Sequence, residues 1–270
     1  MEGKFDLNKA SIFYRIEGDG LPLVLLHGFG EDSNVWNEQI DFLKAYCKLI
    51  IPDIPGSGRS AFKENESDAK TIDYYAECIH ALLQNERINN CLMLGHSMGG
   101  YIVLAFAEKY PILKGYGFIH STAFADSEEK KQNRKRGIEM MEEYGSYAFL
   151  KNTTPNLFAD KFKAEHPERI NELIESGNNF PKESLQDYYT AMMQRPDRTH
   201  VLRSSRVPVL FVIGTEDVAA PMKDVLQQVH LPEIAYIHIL ENTGHMGMWE
   251  STDRVNAAIL QFVKDISWKE

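Results

Sequence analysis

A serine between two glycines carries the clearest sign of chemistry in this chain, in the Gly-x-Ser-x-Gly pentapeptide at residues 95–99. A continuous apolar run at 91–94 precedes it, and an apolar stretch without proline follows at 101–107. This pattern predicts a buried strand, a sharp turn at Ser97 and a helix that begins at once. The glycines fit because the two backbones approach closely there, where a Cβ would clash. The first amides of the helix are unpaired and electropositive, so the turn could hold a nucleophilic hydroxyl beside a developing oxyanion.

A serine hydroxyl becomes a useful nucleophile only when a base removes its proton and a carboxylate orients that base. Asp217 and His245 are the candidates, because each closely follows an apolar run that predicts a late strand. The carboxyl ends of parallel strands meet at one edge of a sheet, so we expect both side chains near Ser97. Glu216, directly before Asp217, is the alternative acid.

Two backbone N–H groups are candidates for an oxyanion site. The N–H of Met98 comes directly after the serine, at the start of the predicted helix. The N–H of Phe29 lies in the glycine-rich stretch 27–30, which follows the apolar run 22–26 at the carboxyl end of its predicted strand. The ring of Phe29 can also form a pocket wall, because one role uses the backbone and the other the side chain.

Further candidates stand close to these residues in the sequence. We expect His96 to pack beside the turn and His27 to act as a structural hydrogen-bonding group. The substrate pocket is expected to include His120, Phe124 and Met246. The nine histidines show no His-Glu-x-x-His or similar spacing, so neither a metal nor another cofactor is expected.

The elements that must position these residues alternate between apolar strands and amphipathic helices. Strands are predicted at 11–17, 22–26, 48–52, 91–94, 115–120, 207–213 and 234–240. Helices are predicted at 33–45, at 71–86, directly after Ser97, at 222–229 and at 250–266. Continuous apolar strands are typical of strands buried on both faces. The alternation indicates an α/β fold with a mostly parallel, doubly wound sheet flanked by helices.

This alternation stops over residues 121–203, where no apolar strand occurs. Helical segments there carry many methionine and aromatic residues, which form either a local core or the floor of an apolar lid. The charged run 126–136 is interpreted as a solvated helix face. The predicted organisation is a first part of the core at 1–120, an inserted helical cap at 121–203 and a second part of the core at 204–270.

The turn-rich stretch 53–60 follows the predicted strand at 48–52 and could be mistaken for a phosphate-binding loop. It lacks the Lys-Ser/Thr ending of a P-loop, and it does not open a helix as a dinucleotide-binding turn does. We therefore interpret it as a shaped loop and not as a nucleotide site.

Composition narrows the possible partners and the compartment. The chain has 270 residues, of which 43% are hydrophobic and 25% charged, and its formal net charge is −10. This charge disfavours nucleic acids and anionic membranes as partners, and no apolar run is long enough to span a bilayer. The three cysteines form no metal-binding or redox motif and are expected to be reduced. The first residues carry no apolar secretory segment, so a cytoplasmic protein is expected.

Taken together, these motifs resemble the α/β-hydrolase superfamily, in particular its serine members with a helical cap. The resemblance covers nearly the whole chain and rests on residues 27–30, 53–60 and 95–100 together with Asp217 and His245. The chain order of serine, aspartate and histidine is the order of this fold. Dehalogenases and soluble epoxide hydrolases of the superfamily carry aspartate at the turn, so the serine disfavours both.

The resemblance implies hydrolysis of a small to medium apolar carboxylic ester through an acyl-enzyme. Ser97 would be the nucleophile, His245 the base and Asp217 the orienting acid. The backbone amides of Phe29 and Met98 would form the oxyanion hole. The expected partners are the small-molecule ester and water, with no cofactor.

The resemblance also leaves alternatives open. Serine members of the superfamily cleave lactones, thioesters or carbon–carbon bonds, and some members of the fold are small-molecule receptors with slow hydrolysis. Carbon–carbon cleavage would need polar residues that stabilise a dienolate, and the candidates for this role are Asn178, Arg195 and Arg198.

Overall fold

A nine-stranded sheet lies at the centre of this computed structural model, which describes residues 1–7, 10–62 and 70–267. The strands in chain order are β1 (Glu2–Asp6), β2 (Ala10–Glu17), β3 (Pro22–Leu26), β4 (Lys48–Pro52), β5 (Ala61–Phe62), β6 (Cys91–His96), β7 (Leu113–Ile119), β8 (Val209–Gly214) and β9 (Ala235–Leu240). They are arranged β1-β2-β4-β3-β6-β7-β8-β9, and the short β5 pairs with β2. Pairing is parallel from β4 through β9 and antiparallel only where β2 meets β1, β4 and β5. The predicted mostly parallel sheet is confirmed.

Alternate residues of the parallel strands pack into two separate cores, one on each face of the sheet. In β3, Val24 and Leu26 belong to one core, while Leu23 and Leu25 belong to the other. All four side chains are fully buried. Strands β6 and β8 divide in the same way. Because both faces of these strands are covered, their sequences are continuous apolar runs without polar alternation.

Helices cover both faces of the sheet. They are α1 (Asn37–Leu43), α2 (Ile72–Asn85), α3 (Met98–Lys109), α4 (Glu128–Tyr144), α5 (Ser146–Thr153), α6 (Asp160–Glu165), α7 (Pro167–Ser176), α8 (Lys182–Gln194), α9 (Thr199–Ser204), α10 (Met222–Val225), α11 (Gly247–Glu250) and α12 (Thr252–Ser267). Helices α2 and α3 contribute Tyr75 and Phe106 to the first core. Helices α1 and α12 contribute Leu43 and Ile259 to the second. The sheet is therefore doubly wound, as predicted.

The chain between β7 and β8 forms the helices α4 to α9, which we call the helical segment (residues 128–204). Residues 121–203 contain no strand, in agreement with the sequence pattern. Met141 and Leu185 of this segment join the first core, whereas Phe158 joins the second. The segment is thus packed against the rest of the fold, and its role as a separate cap domain stays a prediction.

Several local features differ from the sequence prediction. Strand β1 was not predicted, because its side chains alternate between exposed and half-buried and so give no apolar run. The two-residue β5 was not predicted either, and the helix predicted at 33–45 consists of a 3-10 turn at Ser33–Trp36 followed by α1. The helix predicted at 222–229 ends at Val225. Gln228 in the following turn is fully buried, where it accepts a hydrogen bond from the Ala123 N–H at 2.6 Å. This long-range contact holds residues 226–230 in a turn, although the sequence pattern favours a helix there.

The charged run 126–136 is solvated only in part, which corrects the sequence interpretation. Most of its side chains are exposed, but Asp126 is buried. Its carboxylate accepts a hydrogen bond from Arg134 Nε at 2.6 Å and lies 2.9 Å from Arg195 Nη1. The run therefore supplies Asp126 and Arg134 to a largely buried ion cluster. Arg195, which follows α8, brings a second guanidinium to the same carboxylate.

Two compositional predictions concern the cysteines and membrane-spanning segments. Cys47, Cys78 and Cys91 are all buried, and their reduced state stays a prediction. Over the described parts of the chain, no helix combines the length and the apolar character needed to cross a bilayer.

Candidate active site

Ser97 lies at the turn between β6 and α3, where its backbone has φ 49° and ψ −115°. A non-glycine residue at positive φ is strained by about 1–3 kcal/mol and persists only where its surroundings hold it. A Cβ on Gly95 would lie 2.2 Å from the Gly99 carbonyl carbon, and one on Gly99 would lie 2.5 Å from the Leu26 oxygen. Neither contact is possible, so the predicted close approach of strand and helix is confirmed.

Hydrogen bonds to β7, to the Ser121 side chain just after β7 and to the first turn of α3 hold this strained turn. The Ser97 N–H donates to the Ile119 carbonyl at 3.1 Å. The Ser97 carbonyl accepts from the Ser121 hydroxyl at 2.7 Å and from the Gly100 N–H at 2.9 Å. The half-buried Ser97 side chain makes no capping hydrogen bond to α3. Its hydroxyl is therefore not used by the helix that it precedes.

Asp217 and His245 form a buried pair at the same edge of the sheet. The Nδ1 atom of His245 lies 3.0 and 2.9 Å from the two carboxylate oxygens of Asp217. Oδ1 of Asp217 also accepts from the N–H groups of Ala219 and Ala220, at 2.9 and 2.8 Å. Burial by itself would raise the pKa of Asp217, but the imidazoles beside it hold that pKa well below its usual range. Glu216, the alternative acid, is exposed.

A second imidazole contacts the same carboxylate. His120 directly follows β7, and its Nδ1 lies 3.1 Å from Oδ2 of Asp217. Its side chain is fully buried, and its Nε2 has no hydrogen-bond partner among the described residues. Burial lowers the pKa of His120 in spite of the nearby carboxylate. The structure therefore places His120 behind Asp217 and not at an open surface.

The other two residues predicted for the substrate pocket have different surroundings. Phe124 is half-buried, and its carbonyl accepts from Arg195 Nη2 at 3.0 Å. Met246 is fully buried within the second core. Their role as pocket residues stays a prediction.

The candidate oxyanion groups come from two segments next to Ser97. Met98 is the first residue of α3 and is fully buried. A Cβ on Gly28 would lie 3.1 Å from the Ser97 Cβ, so the loop 27–30 passes close to the serine. The Gly28 N–H donates to Glu31 Oε2 at 2.7 Å. That leaves the N–H of Phe29, one residue later, as the candidate donor in this loop.

An aromatic wall adjoins this loop. The Phe29 ring stacks on Tyr189 of α8, with centroids 4.3 Å apart and planes 20° apart. Phe149 of α5 meets both rings edge-on, at 6.2 and 5.7 Å. Phe149 and Tyr189 also line an open cleft of about 590 Å³, which Arg134 and the exposed Val218 border as well. The helical segment therefore brings apolar surface next to residues 27–30, which we call the oxyanion loop after their candidate role.

The loop 53–60 is closed by its own hydrogen bonds, as the interpretation of a shaped loop requires. The carboxylate of Asp53 accepts from the N–H groups of Ser33 and Arg59, each at 2.8 Å. The Ile54 N–H donates to His27 Nε2 at 2.9 Å. His27 is thus a structural hydrogen-bonding group that joins this loop to the end of β3.

Two carboxylates near the site were not predicted from the sequence, the buried Glu31 and the half-buried Glu250. Glu31 accepts from the Gly28 N–H, and His96 Nδ1 lies 3.0 Å from the same oxygen. Glu250 fixes the loop that carries His245, which we call the base loop (residues 243–246). It accepts from the N–H groups of Gly244 at 3.0 Å, Met246 at 3.0 Å and Ala159 at 2.8 Å. The sequence offered only weak signals, since Glu31 stands beside another acid, Asp32, and Glu250 belongs to no recognisable motif.

One group of side chains in the described structure has the composition of a metal site. The ligand atoms of His120, Asp217 and His245 lie within 4.8 Å of one another. These atoms already make the hydrogen bonds described above, with the carboxylate between two imidazoles. The group is therefore accounted for without an ion.

Comparison with known proteins identifies the family. A model of the alpha/beta hydrolase family matches residues 23–258. The chain belongs to the alpha/beta hydrolase family. Among solved structures, this alpha/beta hydrolase is similar to a thermophilic esterase from Thermogutta terrifontis, with a TM-score of 0.91 and 26% identity over 99% of both chains.

Two of the curated relatives of this alpha/beta hydrolase are named as hydrolases of different substrates. A 2-hydroxy-6-oxononadienedioate/2-hydroxy-6-oxononatrienedioate hydrolase from Burkholderia vietnamiensis is 26% identical over 269 residues, which cover 96% of this chain and 93% of the relative. Lipase 3 from a Moraxella species is 28% identical over 247 residues, which cover 86% of this chain and 74% of the relative. The chain is a hydrolase, and these names differ in substrate.

Proposed function

We propose that this hydrolase cleaves carboxylic esters of small to medium apolar compounds through a serine acyl-enzyme. One observation carries the proposal: a serine held in a strained strand-to-helix turn shares a sheet edge with a buried His245–Asp217 pair. The similarity to an esterase and to a lipase supports the ester as the substrate class. These similarities extend over most of each chain and do not identify the acyl or the alcohol part of the substrate. Both parts are inferred from the residues around Ser97.

The mechanism assigns one task to each residue. The Ser97 hydroxyl attacks the ester carbonyl while Nε2 of His245 takes its proton. Asp217 holds Nδ1–H of His245 and stabilises the imidazolium that forms. His245 then gives the proton to the leaving alcohol, and a water molecule releases the acid by the same steps in reverse order. The N–H groups of Phe29 and Met98 bind the oxyanion, and removing one such donor typically costs about 100- to 1,000-fold in turnover.

The aromatic wall supports an apolar substrate. Phe29, Phe149 and Tyr189 present their rings beside the loop that carries the Phe29 N–H. A carbonyl carbon at Ser97 would leave one arm of the substrate against these rings. Burying apolar surface stabilises binding by roughly 25 cal/mol per Å². We therefore expect activity to rise with acyl length until the apolar surface of these three rings is covered.

A second candidate is hydrolysis of a carbon–carbon bond. The Burkholderia relative is named for a dienedioate that carries hydroxyl and oxo groups but no ester, so its hydrolysis must break a carbon–carbon bond. The residues considered for dienolate stabilisation have other partners. Arg198 pairs with Asp73 and Glu108, and Arg195 pairs with Asp126. Asn178 donates to Glu175 at the surface. These pairings favour the ester.

The test is a series of p-nitrophenyl esters from acetate to decanoate, with Ser97→Ala and a control, Ser204→Ala, at an exposed serine of α9. We expect turnover by the wild type and the control, and a loss on the order of 10⁴-fold or more for Ser97→Ala. A 2-hydroxy-6-oxo-dienoate substrate is assayed in parallel. If only that compound is turned over, carbon–carbon hydrolysis replaces the ester. If neither is turned over, the enzymatic proposal fails and slow hydrolysis by a receptor becomes the better hypothesis.

A further inference from the structure

The mechanism above makes no use of a buried carboxylate and imidazole that lie beneath Ser97. Glu31 is 3% exposed and His96 is fully buried, and Nδ1 of His96 lies 3.0 Å from Oε2 of Glu31. Nε2 of His96 lies 2.9 Å from the backbone carbonyl oxygen of His245. The two residues thus form a continuous chain of contacts from the oxyanion loop to the base loop.

The proton positions follow from the chemistry of the acceptors. A backbone carbonyl can only accept, so Nε2 of His96 must carry a hydrogen. Nδ1 faces an oxygen of Glu31 that already accepts from the Gly28 N–H. A second hydrogen must therefore lie between Glu31 and His96, since two lone pairs would otherwise face each other. The arrangement holds one more proton than a neutral imidazole beside an ionised carboxylate.

The pKa directions favour His96 as the holder of that proton. Burial by itself would raise the pKa of Glu31, but His96 and the Gly28 N–H together lower it. Burial by itself would lower the pKa of His96, but Glu31 and the His245 carbonyl together raise it. Both directions favour an imidazolium beside a carboxylate, in which both nitrogens of His96 donate. Charge-assisted hydrogen bonds of this kind are about twice as strong as neutral ones.

Each end of the pair holds a backbone group next to the reacting centre. At one end, Glu31 fixes the Gly28 N–H and so orients the His27–Gly28 peptide, which directly precedes the peptide that carries the candidate oxyanion donor, the Phe29 N–H. At the other end, His96 fixes the carbonyl of His245. The N–H of His245 donates to the Leu157 carbonyl at 2.6 Å, so the backbone of the base is held on both sides.

We propose that Glu31 and His96 act as a positioning pair that fixes the oxyanion loop and the base loop relative to Ser97. This proposal rests on the proposed function, because it assigns the pair an effect on the same site. Neither residue touches the substrate. Their effect is on the geometry of the two loops, where a displacement of about 1 Å can lower a rate by about 100-fold.

Three single variants, Glu31→Gln, His96→Ala and His96→Gln, test the pair in ester hydrolysis, together with the double variant that combines Glu31→Gln with His96→Ala. Glu31→Gln removes the charge, and His96→Ala removes both donors. We expect each to lower kcat by about 10- to 100-fold with KM changed less than about threefold, because the pair acts on geometry and not on binding. The double variant should be no slower than the slower single variant, since residues that act as one unit are not additive. His96→Gln, whose amide can still donate to the His245 carbonyl, should recover part of the loss of His96→Ala.

A control separates positioning from stability. Asp73→Asn weakens a remote ion cluster, in which Asp73 lies 2.8 Å from Arg198 Nη2 and 3.3 Å from Lys109 Nζ. It should lower the melting temperature while leaving kcat within about twofold of the wild type. Removing one partner of a buried ion pair leaves the other charge unpaired and is strongly destabilising. If a single variant fails to fold, the double variant, which removes both charges, is measured in its place. Variants of the pair that melt earlier but keep wild-type kcat would overturn the proposal.

Amide hydrogen exchange tests the pair without reference to activity. In His96→Ala and Glu31→Gln we expect faster exchange at the Gly28 amide and across the base loop, and no change there in Asp73→Asn. Unchanged exchange in both loops overturns the positioning role even where activity falls. If the wild type hydrolyses no ester, the proposed function fails, and the exchange result alone decides whether the pair holds the loops.

Discussion

Replacing Ser97 by glycine should stabilise the protein while it abolishes hydrolysis. The backbone at this position has φ 49° and ψ −115°, a conformation that costs a residue with a Cβ about 1–3 kcal/mol. Glycine adopts it without that strain, but glycine costs about 0.5–1 kcal/mol in extra conformational entropy of the unfolded chain. The difference leaves a net gain of about 1 kcal/mol, within a range of ~0–2.5 kcal/mol.

Ser97→Ala is the matched comparison, because it removes the hydroxyl but keeps the Cβ and the strain. The hydroxyl makes no capping hydrogen bond, so we expect the alanine variant to match the wild-type free energy of unfolding within about 0.5 kcal/mol. Both variants should lack ester hydrolysis. The glycine variant alone should melt higher, by roughly 2–4 °C for each kcal/mol in a chain of this size.

Urea unfolding followed by far-ultraviolet circular dichroism and by tryptophan fluorescence measures the difference. Coincident transitions in the two signals are needed before free energies are compared. A glycine variant that is no more stable than the alanine variant would refute the reasoning, because it would show that the turn is not strained. A gain in both variants would instead assign the cost to the hydroxyl.

Further predictions follow from the same site. Asp217→Asn should lower kcat by on the order of 10⁴-fold with the fold retained, as measured by ester kinetics and circular dichroism. The folded-state pKa of Asp217 is lowered, so its ionised form stabilises the protein at pH values above the unfolded pKa. This contribution should be lost as the pH falls below about 4 in urea titrations of the wild type, but not in those of Asp217→Asn. Gly28→Ala should reduce kcat, since its Cβ would lie 3.1 Å from the Ser97 Cβ, whereas an unchanged rate would show that the loop can move away. Burial raises the pKa of Cys47 and Cys91 to about 12, so neither thiol should react with a disulfide reagent until the protein is unfolded, and early labelling of either would contradict its burial.

The fold was predictable because its signals are local. Apolar runs at 22–26, 48–52 and 91–94 predict strands buried on both faces, and the structure has strands there. The Gly-x-Ser-x-Gly pentapeptide predicts a close strand-to-helix approach, and the spacing of atoms around Gly95 and Gly99 confirms it. Backbone conformation and burial pattern depend mainly on neighbouring residues, so they can be recognised in one sequence.

The chain order and the sheet edge of the candidate site were predictable, but the contacts of its side chains were not. Asp217 rather than Glu216 meets His245 because the end of β8 turns one carboxylate into the interior and leaves the other in solvent. The sequence interpretation gave His120 a place in the pocket, whereas the structure brings it behind Asp217. Whether a side chain in a loop points into the interior or into solvent depends on packing between distant segments.

By itself, the sequence determined the parallel sheet, the strained serine turn and the edge of the sheet at which chemistry is expected. These follow from residue types and spacings within a few positions of one another. Only the tertiary structure decided that Glu31 and His96, 65 residues apart, form a buried pair, and that this pair reaches the carbonyl of His245, 149 residues beyond His96. A buried charge needs a partner, but the free energy of burial does not specify which distant residue supplies it. That choice is made when β3 and β6 pair side by side and the loop after β9 reaches back to His96 at the end of β6.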